Sequence, residues 1–150
     1  MLYPKQSKYL KSHTILDKST FVVYNENLCF GSYGLVALHS GYLSPEELEA
    51  VRRVAVRAFR GIIRIWNIVN NKKKQLLKLW IRVFAFHSLT KKPNEVRMGK
   101  GKGDHFCWVY PVYTGKIILE LNIPSIYANK ILLEMQSKLS VKCSIIEKKL

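Results

Sequence analysis

Apolar positions switch period along the chain, and the switches divide it into elements. Residues 1–20 are basic and have no clear period. Phe21–Tyr24 and residues 28–39 read as strands, with Gly31 and Gly34 interrupting the second. A glycine inside a strand marks a bulge or a close backbone approach. Ser44, Pro45 and Glu47 then supply an N-cap, a first-turn proline and the Ser-x-x-Glu capping box. Over 45–64 the period changes to three and four, with Leu48, Val51, Ala55, Ala58 and Ile62 on one face. Residues 65–78 either prolong this helix or form an exposed excursion, with a stop at Asn70-Asn71 and the basic run Lys72–Lys74.

Residues 79–86 (Leu-Trp-Ile-Arg-Val-Phe-Ala-Phe) read as a strand, rich in branched and aromatic residues. Thr90 to Asn94 reads as a loop. Strands are expected at 105–112 and 116–121, joined through Thr114-Gly115. Pro124 opens a second helix over 125–139, offering Ile126, Leu132, Leu133, Met135 and Leu139 to a core, and 141–147 reads as the last strand. The expected class is α+β: one domain spanning 1–150, two helices packed on a mixed, mainly antiparallel sheet, with a basic N-terminal arm and a Gly/Lys-rich loop.

Charge narrows the function. The chain has 150 residues and a net charge of +15, from 25 Lys plus Arg against 10 Asp plus Glu. The excess is even: residues 1–75 hold 12 basic and 5 acidic groups, and residues 76–150 hold 13 and 5. With 48% hydrophobic residues there is also material for a core. A cationic globule of this kind calls for a polyanionic partner, nucleic acid before an acidic membrane surface. No run approaches the roughly 18 apolar residues of a membrane span, so no insertion is expected. Cys29, Cys107 and Cys143 lie far apart, without metal or disulfide spacing, and read as small buried hydrophobes.

The most informative basic feature is Arg97-Met98-Gly99-Lys100-Gly101-Lys102-Gly103. Alternate glycines open backbone conformations that other residues avoid, and the cations between them suit close contact with phosphates. A P-loop would need Ser or Thr after the last Gly-Lys and a helix beginning there; here Asp104 follows Gly103. The dinucleotide fingerprint fails on spacing. Asp104 and His105 adjoin without an evident Ser or Cys partner, and His13, His39, His87 and His105 have no metal-ligand spacing. No catalytic residue, metal or cofactor is expected.

Two further segments are basic. Arg53, Arg57, Arg60 and Arg64 form a narrow stripe opposite the apolar face of the first helix. Glu46, Glu47 and Glu49 are assigned to its N-terminal dipole, so the stripe is expected without acidic partners, as a phosphate-binding face. The competing reading is a solvated face. In the N-terminal arm, Lys5, Lys8, Lys11 and Lys18 interleave with Tyr3, Tyr9 and His13. A plain solvated arm and an RNA-contacting extension both stand open.

Several stretches occur in an order that closely resembles one family. They are Met1-Leu-Tyr-Pro-Lys, Phe30-Gly-Ser-Tyr-Gly-Leu, Glu49-Ala-Val-Arg-Arg, Trp80-Ile-Arg-Val-Phe and Pro93-Asn-Glu-Val-Arg-Met-Gly-Lys-Gly-Lys-Gly. The family is the bacterial-type ribosomal protein sixteen of the large subunit, whose archaeal and eukaryotic counterpart is the ten-e protein. The resemblance runs from residue 1 nearly to the C-terminus, with about 65–78 as an insertion. It implies a structural part of the large subunit that binds ribosomal RNA near the peptidyl-transferase and A-site region. It also implies contact with the acceptor arm of A-site tRNA and with neighbouring ribosomal proteins, and no homo-oligomer of its own.

By that resemblance Arg97, Lys100 and Lys102 neutralise RNA phosphates, Gly99, Gly101 and Gly103 permit close approach, and Met98 lies in the same loop. Lys5, Lys8, Tyr9, Lys11 and His13 match a second RNA-contacting segment, and Arg82 joins the set through its strand motif. Residues 14–21 depart from the family's basic pattern, which puts RNA contacts there in question. Two rivals stand beside the ribosomal reading: an RNA-processing enzyme or RNA-binding assembly factor reusing the same fold, and a membrane-surface module driven by net charge.

Ile, Lys and Asn together number 39 (13, 18 and 8), the bias of an A/T-rich genome. The family motif starts at Met1, with no import presequence before it. Together these give the expectation of an organelle-encoded mitochondrial protein. A plastid or a bacterial cytoplasm is the alternative.

Overall fold

The computed structural model describes residues 3–13, 27–69 and 77–148. The strand expected at 21–24, the departure at 14–21 and the run Lys72–Lys74 lie outside them. In chain order the elements are β1 (Tyr33–Ala37), β2 (Gly41–Leu43), α1 (Pro45–Val69), β3 (Lys78–Ile81), β4 (His87–Lys91), β5 (Asp104–Val112), β6 (Ile117–Asn122), α2 (Ser125–Gln136) and β7 (Cys143–Glu147). The α+β class stands, but the strands form two sheets rather than one. Their orders are β3-β6-β1-β7 and β2-β5-β4, and every pairing among the described residues is antiparallel.

The sequence suggests an unbroken strand at 79–86, and the structure splits it. β3 pairs with β6 as far as Ile81 and Leu119, and Arg82 N–H reaches Ile118 O at 2.9 Å. The chain then crosses to the second sheet. Val83 and Ala85 stay buried while Phe84 and Phe86 face out, so the alternation outlasts the ladder. Beyond the crossing, β4 pairs with β5 through Thr90 and Lys91, two residues expected in a loop.

Strand character over 28–39 contracts to Tyr33–Ala37 for a different reason. The backbone N–H groups of Cys29, Phe30 and Gly31 point at the Glu120 carboxylate instead of a neighbouring strand. A Cβ on Gly31 would lie 2.6 Å from Leu121 O, so only glycine fits against β6 there. The turn before β6 passes through Gly115 at φ 84°.

The capping box forms as the spacing demands. Glu47 N–H donates to Ser44 Oγ at 3.2 Å, and Ser44 N–H to Glu47 Oε2 at 3.1 Å. Leu43 and Leu48, on either side of the cap, are both buried. The helix runs past residue 64 to Val69, so over 65–69 the prolonged helix is the reading that holds. Removing the hydroxyl with Ser44→Ala is expected to cost about 1 kcal/mol, seen as a lower midpoint in chemical denaturation.

The core is Leu35, Leu43, Val51, Ala55, Ile62, Ile118, Leu119, Leu121, Leu132 and Met135 with their neighbours. α2 packs on α1, β1 and β7. It ends at Gln136 rather than 139 and buries Ala128, Ile131, Leu132 and Met135. Ile126 and Leu133, expected in the core, are exposed because they fall off that three-and-four stripe. The cysteines also divide. Cys143 is buried, and that burial pushes its thiol up to about 11. Cys29 is exposed and Cys107 half-buried, against the expectation of three buried thiols.

Candidate nucleic-acid interface

Arg97 to Gly103 forms an exposed excursion between β4 and β5. Gly99 (φ 99°), Lys100 (φ 56°) and Gly101 (φ 83°) lie consecutively in the left-handed region. A Cβ on Gly99 or Gly101 would meet open space, so conformation alone requires glycine there. Gly103 has the opposite reason. A Cβ on it would lie 2.6 Å from Lys91 O, so it closes the root of the loop against its own chain. Met98 is fully exposed, at 100%. Arg97, Lys100 and Lys102 also face solvent.

The N-terminal arm is fastened to this loop. Lys11 Nζ pairs with Asp104 Oδ1 at 3.0 Å and reaches Lys102 O at 3.4 Å. Lys102 Nζ donates back to Ser12 O, and Lys92 Nζ donates to Gly99 O. Ser88 Oγ donates to Leu10 O, holding the arm along β4. Lys5, Lys8, Tyr9 and His13 project outward, and Lys8 Nζ sits 5.4 Å from the centre of the Tyr9 ring. Two basic segments about ninety residues apart in sequence thereby share one surface.

His105 acquires a partner that sequence adjacency did not reveal. Its Nδ1 lies 2.6 Å from Ser88 Oγ, across the β4–β5 pair. The one hydroxyl proton of Ser88 goes to Leu10 O, so Nδ1 carries the proton and donates it to Oγ. A histidine donating to serine does not activate it as a nucleophile. The pair is a brace for the arm.

The arginine stripe is separate and shorter than expected. Arg57, Arg60 and Arg64 are exposed, without an ion pair among the described residues. Arg53 is paired after all, with its Nε 3.1 Å from Glu49 Oε1, and Arg52 chelates the same carboxylate through two 2.7 Å bonds. The Arg52 bonds, seconded by Arg53, hold the Glu49 carboxyl at about 2. No hydrogen bond or ion pair among the described residues ties the stripe to the loop or arm.

Arg82, grouped with the RNA contacts by its motif, is turned inward. Its Nη1 donates to Glu120 Oε1 at 2.9 Å and to Asn27 O at 3.3 Å. Glu120 is fully buried in β6. Burial by itself would raise its pKa. Donation by the N–H groups of Gly31, Phe30 and Cys29, and then by Arg82, outweighs burial and holds the carboxyl below the ordinary 4.5. Hydropathy gave no hint of this site, since a lone glutamate in a strand reads as an outward-facing position.

A family model described as ribosomal protein L16p/L10e matches residues 4–146. The chain belongs to the L16p/L10e family. Among its relatives, large ribosomal subunit protein uL16 of Blochmanniella pennsylvanica is 39% identical over 147 residues, covering 97% of this chain and 98% of that protein. The uL16 of Aeromonas salmonicida is 36% identical over 149 residues, covering 99% and 98%. The family is a structural, non-enzymatic component of the ribosome, in keeping with the reversed Ser88–His105 bond. Among the described residues no helix is long and apolar enough to cross a membrane, and no group of His, Cys, Asp or Glu is placed to hold a metal.

Proposed function

We propose that this L16p/L10e protein binds large-subunit ribosomal RNA through the joined surface of arm and loop, near the peptidyl-transferase and A-site region. There it supports accommodation of aminoacyl-tRNA at the acceptor arm. The observation that carries the reading is the lacing of Lys11, Ser12, Lys102 and Asp104, which presents Lys5, Lys8, Arg97 and Lys100 from one braced base. Bracing lowers the ordering cost of binding, and the exposed cations displace counterions from phosphates. Arg57, Arg60 and Arg64 offer a second, separate phosphate-binding face.

Sedimentation tests this. The protein is expected to travel with large subunits, and to be released by nuclease or by high salt. Recovery only in light fractions of an intact lysate would overturn the assignment. Retention on precursor particles but not on mature subunits would instead identify an assembly factor.

For the compartment, the Ile, Lys and Asn bias supports a mitochondrial ribosome. The bacterial relatives favour the alternative, a bacterial cytoplasm. Peptides of this chain in ribosomes from washed, protease-treated mitochondria would support the first; their absence there would remove it.

A further inference from the structure

Basic charge accounts for the arm and loop, but not for an exposed aromatic ring at the loop's root. Between β4 and β5 the register slips: Leu89 pairs with Cys107 while Thr90 pairs with His105. Phe106 is the residue left over. Such a bulge bends its strand and re-aims a side chain, and here it turns a phenylalanine outward, 64% exposed. Lys91 Nζ sits 5.2 Å from the centre of that ring. Lys91 is also the residue whose backbone Gly103 closes against, so ring, lysine and loop share one anchor.

We propose that Phe106 is a stacking platform for an unpaired RNA base, with Lys91 positioned to meet the adjoining phosphate. This rests on the RNA-binding reading above and adds a contact of another kind, to a base rather than to the backbone. Every base offers a π-face, and a ring flanked by a cation is the combination that holds single strands. The surrounding charge favours RNA over a protein partner. Lys91 flanks the ring, and Asp104, two residues before Phe106 on β5, is engaged by Lys11. The arm repeats the combination, with Lys8 over a Tyr9 ring that is 72% exposed.

Binding of the full chain to a short oligoadenylate and to a fully paired RNA duplex of equal length, both followed by anisotropy, tests the proposal. Phe106→Ala is expected to weaken oligoadenylate binding roughly five- to fiftyfold and to leave duplex binding within about twofold. Phe106→Trp should retain the single-strand affinity. The melting temperature of Phe106→Ala should match the native chain, because the ring is not part of the core. Unchanged oligoadenylate binding, as expected if the ring serves a protein neighbour, would overturn the platform and leave the RNA-binding reading intact. Equal losses on both RNAs would also overturn it. If the native chain binds neither RNA, the RNA-binding reading falls and the platform with it.

Discussion

Replacing Glu120 by alanine is expected to destabilise the fold by about 3–5 kcal/mol, the range for removing one partner from a buried ion pair. The side chain is fully buried. Its Oε2 accepts from Phe30 N at 2.7 Å, Gly31 N at 2.8 Å and Cys29 N at 3.1 Å, while Oε1 accepts from Arg82 at 2.9 Å. Alanine would take the carboxylate away from Arg82 and from three backbone donors at once, and each buried donor left unsatisfied carries its own desolvation cost. The turn at 27–31 would lose its fixed point on β6. Glu120→Gln should be milder, because one oxygen still accepts while the new amide NH2 faces donors.

The sign of the pH dependence follows from the direction of the shift. The carboxyl titrates lower when folded than its ordinary 4.5. Its contribution is therefore complete once the unfolded chain's carboxyl is ionised, and it is lost as pH falls through the folded-state value. The gap in stability between the native chain and Glu120→Gln should shrink as pH falls below about 5. Urea denaturation at a series of pH values measures both effects. A Glu120→Ala protein unfolding at the native midpoint would refute the account.

The second large effect concerns Arg97 with Lys100. Both are exposed on the loop, and neither supplies the ties that fasten it to the arm, which come from Lys11 and Lys102, nor the bond from Lys92 to Gly99 O within the loop. Replacing both by alanine should therefore reduce RNA affinity without unfastening the surface. Each phosphate contact removed lowers the slope of log K against log salt by about 0.7–0.9, so the pair should lower it by about 1.5. Affinity at low salt should drop roughly tenfold or more, alike for different RNA sequences. Replacing Lys138 and Lys142, exposed cations away from the loop, removes the same net charge and serves as the control. Equal effects from the two pairs would show that bulk charge rather than the loop governs binding.

Local rules made several features legible. The capping box needs four residues, and it formed between the atoms the spacing names. The strand character of β5 and β6, and the glycines of an exposed loop, were equally local. What escaped was non-local. Alternation across 79–86 continues while the hydrogen-bonding partner changes, so hydropathy cannot show where one sheet ends and the other begins. Gly103 looks like its neighbours in sequence, yet it is required by the backbone of Lys91. Glu120 reads as an ordinary strand position and Arg82 as an RNA contact, because the partners they find in the fold lie many residues away. The Glu49–Arg53 pair was within reach, at a spacing of four, and was missed because Glu49 was assigned wholly to the helix dipole.

The strand pairings also set an order of assembly. β1 finds its partners in β6 and β7, and β2 finds its own in β5. The arm is fastened by Ser88, Lys102 and Asp104, and the turn at 27–31 by Glu120. During synthesis the first third of the chain therefore emerges before any strand it will pair with exists. The arm is made before the segments that fasten it, so it is among the last parts to find its place.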